Sequence, residues 1–227
     1  MGLNDENAER VVIDLETIAA PDAAEYLKLE EIEAPSNYRD QVKIAAYIAE
    51  KRRERIERAG LEADLNEIVA VGFMREGVGE RPVVWTRQDD SERDLIETLW
   101  EAIGYRATVG FNTLGFDLPV LIRRSQLLGI AHPTLNLDRY RTSHIDISDK
   151  LSFNGKLTMR SLEFYARRFG IPNADTSSGA DIARLVAEGN WGEVESHCYQ
   201  DVEKTVALAR RLGYLPKASA ALVEMAL

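Results

Sequence analysis

Along the chain, apolar residues recur with a two-residue period in some stretches and a helical period in others. The first clear element is RVVIDLET (10–17), a β-branched run short enough for a buried strand. A polar stretch of helical character follows over about 20–63, with Pro21 and Pro35 as breakers and Gly60 as C-cap; it reads as a helical insertion after the first strand. LNEIVAVGFMRE (65–76) and RPVVWT (81–86) predict two strands, and the turn between them, containing Gly77 and Gly79, predicts a hairpin. DSERDLIETLWEAIG opens on Asp90 or Ser91 as N-cap, carries Leu95, Ile96, Leu99 and Trp100 at helical spacing, and closes on Gly104. RATVGFN (106–112) is a fourth strand leading into the helical FDLPVLIRRSQLLG, and HIDIS (144–148) is a short fifth. The remainder is helical: LTMRSLEFYARRFG, ADIARLVAEG, and a final helix from about Trp191 to Leu212.

Strands that first pair as a hairpin and then alternate with helices predict an α/β fold with a mixed five-stranded sheet. A length of 227 residues with 45% hydrophobic content suits a single domain spanning 1–227, the helical insertion included. The lone Cys198 excludes an internal disulfide. With neither a signal-like apolar run near the start nor a stretch of about 18 apolar residues elsewhere, the expectation is a cytoplasmic protein without a membrane partner. Lys and Arg number 28 against 38 Asp and Glu, and a net charge of -10 argues against coating nucleic acid through a global field. That balance leaves room for a local basic groove and for acids used on metal ions. The basic run KRRERIERAG has acids interspersed at helical spacing, the pattern of an exposed salt-bridged face.

Three places carry candidate chemistry. In the first strand, alternation puts Asp14 and Glu16 on one face and Ile13 and Leu15 on the other. Two like charges there repel, and a cation between them relieves the repulsion; acids at a strand end that reach water are the plain alternative. In GFNTLGFDLPVL (110–121), Asp117 falls at the start of a helix, where an acid is expected as a cap in any case. In the last helix, Val194, Cys198, Val202, Thr205, Val206 and Ala209 form the apolar stripe, with His197 and Asp201 one turn apart beside it. Tyr199 lies roughly 200° around the helix from both and points elsewhere. Each feature alone has an ordinary structural explanation, but four carboxylates together supply hard oxygen ligands suited to Mg²⁺ or Mn²⁺.

These residues resemble a known family, the DEDD (DnaQ-like) 3′-5′ exonucleases of the ribonuclease H-like superfamily. VVIDLET is similar to the first motif, GFNTLGFDLPVL to the second and HCYQDVEKT to the third. HIDISDKL, LTMRSLEFYARRFGIP and GADIARLVAEGNWGEVES extend the likeness toward the branch related to the exonuclease domains of family-B DNA polymerases. The resemblance implies a ribonuclease H-like sheet flanked by helices and hydrolysis at the 3′ end of nucleic acid, DNA before RNA, with two Mg²⁺ or Mn²⁺ ions. It gives Asp14 the bridging role between ions, Glu16 and Asp201 the rest of the site for the attacking water, and Asp117 the second ion. Thr17, Ile18, Asn112 and Phe116 would hold the terminal nucleotide, and Lys156, Arg160 and Lys204 would meet backbone phosphates, though each is by default a solvated surface charge. A polymerase or another replication or repair protein is the implied partner.

The family's third motif carries a tyrosine with three residues before the last aspartate, or a histidine with four. Here His197 stands at the tyrosine spacing, with Ser196 where the histidine would be. His197 therefore either orients the water or accepts its proton in the tyrosine's place, or it only packs and activity is weak or lost. His132 and His144 read as loop and strand-start residues for which the sequence names no partner. The competing reading is an inactive ribonuclease H-like module that binds nucleic acid or a polymerase. A Rossmann-type nucleotide site is disfavoured because no G-x-G-x-x-G follows the first strand.

Overall fold

The computed structural model describes residues 9–76, 81–172 and 177–216. Strand β1 (Arg10–Ala19) is the centre of the sheet. The stretch between the first and second strands holds a short helix α1 (Ala23–Tyr26), a 3-10 turn and the long α2 (Gln41–Ala59). Then come β2 (Asn66–Arg75), β3 (Val83–Thr86), α3 (Glu92–Ile103), β4 (Ala107–Gly110), α4 (Asp117–Leu128), β5 (Ile145–Asp146), α5 (Ile147–Leu151), α6 (Leu162–Arg168), α7 (Ile182–Ala187) and α8 (Trp191–Arg211). The sheet order is β3-β2-β1-β4-β5, with the β1–β2 and β2–β3 pairs antiparallel and the β1–β4 and β4–β5 pairs parallel. This is the mixed five-stranded α/β sheet of the expectation. The turn expected at Gly77 and Gly79 lies outside the described residues, but β2 and β3 do pair antiparallel.

Alternation along β1 builds two opposed layers. Val11, Ile13 and Leu15 bury themselves against α3 and α4 together with Leu95, Leu99, Leu118 and Leu121. The even side meets α6, α7 and α8: Val12 packs with Val202 and Val206, and Ile18 with Val194 and Cys198. The polar residues Asp14 and Glu16 sit on that even side, between apolar neighbours, so the strand period delivers both acids under α8. Gly72 pairs with Asp14 across the sheet, and a Cβ there would come within 2.8 Å of both the Cys198 Sγ and a Val202 methyl. Its bareness lets α8 settle directly on the strands at the level of the acids.

Two polar ties fix α4. The buried Glu92 carboxylate accepts the Ile68 backbone N–H (2.8 Å) and both arms of Arg124 (2.7 and 2.6 Å), joining β2, α3 and α4. The Trp100 indole donates to Ser125 Oγ at 2.8 Å. Ser91, rather than Asp90, caps α3 in a capping box with Asp94. The basic run on α2 is the expected salt-bridged face, with Lys51–Glu54 (2.6 Å), Arg53–Glu50 (2.7 Å) and an Arg55–Glu62 pair.

Several expectations are corrected. Gly60 is the C-cap of α2 as expected, its N–H donating to the Arg58 and Glu57 carbonyls, but from right-handed and not left-handed backbone, with φ -58°; a Cβ there would lie 3.3 Å from the Ile18 and Ala19 backbone. The fourth strand ends at Gly110 because Asn112 turns to φ +60°. HIDIS contributes two strand residues before Asp146 caps α5. His144 and His132 both have partners. The Thr108 N–H donates to His144 Nδ1 (3.1 Å), and His132 stacks on Trp100 with centroids 5.8 Å apart. Among the described residues, no helix is long and apolar enough to cross a membrane.

Candidate functional site

The parallel β1–β4 pairing stops at Val12↔Val109, so β1 runs on beyond β4 with one edge open. Asp117, at the first position of α4, uses that edge: its Oδ1 accepts the Leu15 backbone N–H at 3.1 Å. The side chain meets its own backbone N–H in the first turn, as an acid there ordinarily does, and also reaches across to the strand that carries Asp14 and Glu16. On the other side, α8 brings His197, Cys198 and Asp201 over the same stretch. His197 is 5% exposed, and its Nε2 lies 3.7 Å from Glu16 Oε1. Asp201 Oδ1 is 2.5 Å from Nζ of Lys204, one turn on.

The four acids interact strongly. Burial, and then the charges of Glu16, Asp201 and Asp117, raise the Asp14 carboxyl well above the usual carboxylate range. Burial first, then Asp146 and Asp201, lift Asp117 to about 7 against the pull of backbone N–H donors. Asp14 Oδ2 is buried without a hydrogen-bond partner. An orphaned carboxylate oxygen among further acids is an arrangement that a hard divalent cation would complete. One donor atom each from Asp14, Glu16 and Cys198 can gather within 4.8 Å. Burial and the surrounding acids push the Cys198 thiol up, so it stands there as a neutral group and the carboxylates are the competent donors.

Asp14, Glu16 and Asp201, without Asp117, line a cavity of about 490 Å³ together with Ser161, Ser178, His197 and Lys204 among others. That volume falls in the range of small-molecule sites. Lys204 is buried and paired, not the solvated surface charge expected by default; Lys156 and Arg160 are exposed. Tyr199 is turned away, its hydroxyl bonded to Glu203 and near Arg81. Thr17 donates its hydroxyl to the Gly60 carbonyl (2.6 Å), Ile18 packs among the residues under α8, and Phe116 packs against the α3–α4 core.

Asp146 was not anticipated as a functional residue. Its Oδ1 accepts the Asn112 N–H (2.9 Å), the Ser148 N–H (3.0 Å) and the Ser148 hydroxyl (2.7 Å), and its Oδ2 the Leu114 N–H (3.0 Å). One buried carboxylate thus shapes the loop that ends on Asp117. Asp146→Ala would orphan several buried donors at once, and the expected loss is on the order of 3–5 kcal/mol in urea unfolding. A loss below about 1 kcal/mol would show that water replaces the carboxylate and that the loop holds its own shape.

The mixed sheet and the acid cluster beneath α8 fit a class of predicted nucleases related to a polymerase exonuclease domain. More particularly, the chain belongs to the family described as predicted 3′-5′ exonucleases related to the exonuclease domain of PolB, whose model matches residues 60–217. The matched stretch holds Asp117, His197 and Asp201; Asp14 and Glu16 precede it. Among solved structures, the family B DNA polymerase from the hyperthermophilic archaeon Pyrobaculum calidifontis superposes with a TM-score of 0.60 at 15% identity, over 90% of this chain and 24% of the polymerase. The chain therefore spans about a quarter of that polymerase's length, and the likeness is one of fold. Comparison with curated proteins finds no match.

Proposed function

We propose that this protein is a divalent-metal-dependent 3′-5′ exonuclease that removes nucleotides from single-stranded DNA. The observation that carries the reading is the Asp14 carboxylate, buried, orphaned at Oδ2 and crowded by Glu16, Asp117 and Asp201. An acid cluster this unfavourable persists when a cation compensates it. Asp14, Glu16, Asp117 and Asp201 would hold two Mg²⁺ or Mn²⁺ ions, which when bound stabilise both the entering and the leaving oxygen of an in-line displacement at phosphorus.

The chain's own groups do the rest. His197, whose Nε2 is 3.7 Å from a Glu16 oxygen, orients the attacking water or accepts its proton at that nitrogen. The cavity is of a size to take one terminal nucleotide; Asn112 and Phe116, in the loop between β4 and α4, would contact that nucleotide from outside its wall. The Thr17 hydroxyl is already committed to Gly60, so the contact this residue offers is through its backbone, next to Ile18. The protein's place beside a polymerase or in repair, and its cytoplasmic location, belong to this same reading.

The test is incubation of 3′-labelled and 5′-labelled single strands of DNA and RNA with Mn²⁺, then with EDTA. Stepwise shortening from the 3′ end, lost in EDTA and in Asp14→Ala, is expected. Retention of nucleic-acid binding without metal-dependent shortening of any strand would instead identify an inactive binding module.

A further inference from the structure

The segment from Phe153 to Phe164 runs from the end of α5 into the first turn of α6 and reaches the wall of the acidic cavity, which Ser161, Leu162 and Glu163 help to form. Four large apolar side chains stand out from it: Phe153 is 63% exposed, Leu157 57%, Met159 50% and Phe164 44%. Exposed apolar residues grouped in this way mark a binding surface. Residues 153–160 contain the cations Lys156 and Arg160 and no acid, in a chain whose net charge is -10. Aromatic faces interleaved with cations suit a flexible polyanion whose bases can stack.

The surface is shaped in advance. Phe153, Asn154 and Gly155 all have left-handed backbone, at φ +54°, +57° and +83°. The turn is pinned by Asn154 N–H to the Asp149 carbonyl (2.7 Å), Leu157 N–H to the Ser152 carbonyl (2.9 Å) and Gly155 N–H to Ser152 Oγ (3.2 Å). A bulky residue held at positive φ with its ring in solvent is an unfavourable conformation maintained by its surroundings. At the other end, the Arg160 guanidinium sits 5.7 Å over the Phe164 ring. Phe164 meets Tyr165 edge-on at 5.4 Å, and Tyr165 lies 6.2 Å from Phe111, next to Asn112. A row of rings thus runs from the surface toward the loop that carries Asp117.

We propose that this segment is a track for single-stranded nucleic acid leading to the cavity, with bases stacked on Phe153 and Phe164 and phosphates on Lys156 and Arg160. A duplex buries the faces that the rings would grip, so the track selects unpaired ends. The inference deepens the exonuclease reading and rests on it for the destination of the strand, but the track's ligand can be tested without turnover.

The experiment measures fluorescence anisotropy of a labelled dT12 strand with the full chain in EDTA. Phe153→Ala/Phe164→Ala should weaken binding by roughly tenfold or more at an unchanged salt slope. Lys156→Ala/Arg160→Ala should weaken it and flatten the log–log salt slope by about 1.4, two phosphate contacts on a single strand. Phe153→Trp/Phe164→Trp should bind as well as wild type, which separates stacking from a folding defect, and a blunt duplex should compete poorly. Hydrolysis of the p-nitrophenyl ester of thymidine 5′-monophosphate by the wild type in Mn²⁺, which has no strand to guide, reports the acid site apart from the track. Unchanged dT12 binding in both double-alanine variants would overturn the track and leave the patch to a protein partner. Failure of the wild type to cleave the ester or any strand would count against the exonuclease reading, with the binding result standing separately.

Discussion

Asp14→Asn and Asp117→Asn are expected to lower Mn²⁺-dependent hydrolysis by roughly a thousandfold or more, and at the same time to make the metal-free protein more stable at pH 8. The second effect follows from the same charges as the first. Asp117 has a folded-state pKa of about 7, raised chiefly by burial. Its unfolded value is near 4, so the folded chain retains a proton that the unfolded chain releases. The contribution of this group to stability is therefore greatest below pH 4 and declines as pH rises through about 7. Above that the full penalty applies, on the order of a few kcal/mol after allowance for coupling among the acids. Asparagine removes the charge but still accepts the Leu15 N–H. Differential scanning fluorimetry in EDTA should show Asp117→Asn melting higher than wild type at pH 8 by about 5 °C, with the gap closing toward pH 5. Mn²⁺ should raise the melting temperature of wild type and have little effect on Asp14→Asn. Equal melting curves across the pH range would mean that the acids are not held charged against each other.

The parts of this site that were legible in the sequence are those set by a short period. A two-residue repeat put Asp14 and Glu16 on the same side of β1, and that side is the one α8 covers. A 3.6-residue repeat put Val194, Cys198, Val202 and Thr205 into the core and left Asp201 at its rim. What the sequence hid depends on contacts between distant residues. Asp146 looked like one polar position in a short strand, yet its meaning comes from N–H groups 32 and 34 residues earlier. Lys204 looked like a solvated cation because nothing local reveals that it is buried beside Asp201. The partner that makes Asp117 more than a cap is the Leu15 backbone, 102 residues away, on an edge left open by the stagger of β4. The bulge between Glu16 and Thr17, where β2 carries an extra residue, likewise depends on strand pairing and leaves no mark in local composition.

His197→Ala is expected to reduce the hydrolysis rate by roughly a hundredfold to ten-thousandfold, while Tyr199→Phe stays within about twofold of wild type. The helix separates the two residues by roughly 200°. In the fold, His197 faces Glu16 from the cavity wall, while the Tyr199 hydroxyl bonds to Glu203 outside it. An imidazole is shorter than a phenol, so from this position on the helix its reach decides whether it touches the water. Gly72 bears on that reach, because α8 rests on a strand position without a Cβ and so brings the backbone of His197 closer to the acids. Two further measurements distinguish chemistry from packing. Free imidazole should restore part of the rate to His197→Ala, which lost packing alone would not allow, and Gly72→Ala, by lifting α8, should lower the rate without changing strand binding. If imidazole has no effect and Tyr199→Phe loses as much activity as His197→Ala, the division of labour on α8 is wrong and the water is handled from the other side of the helix.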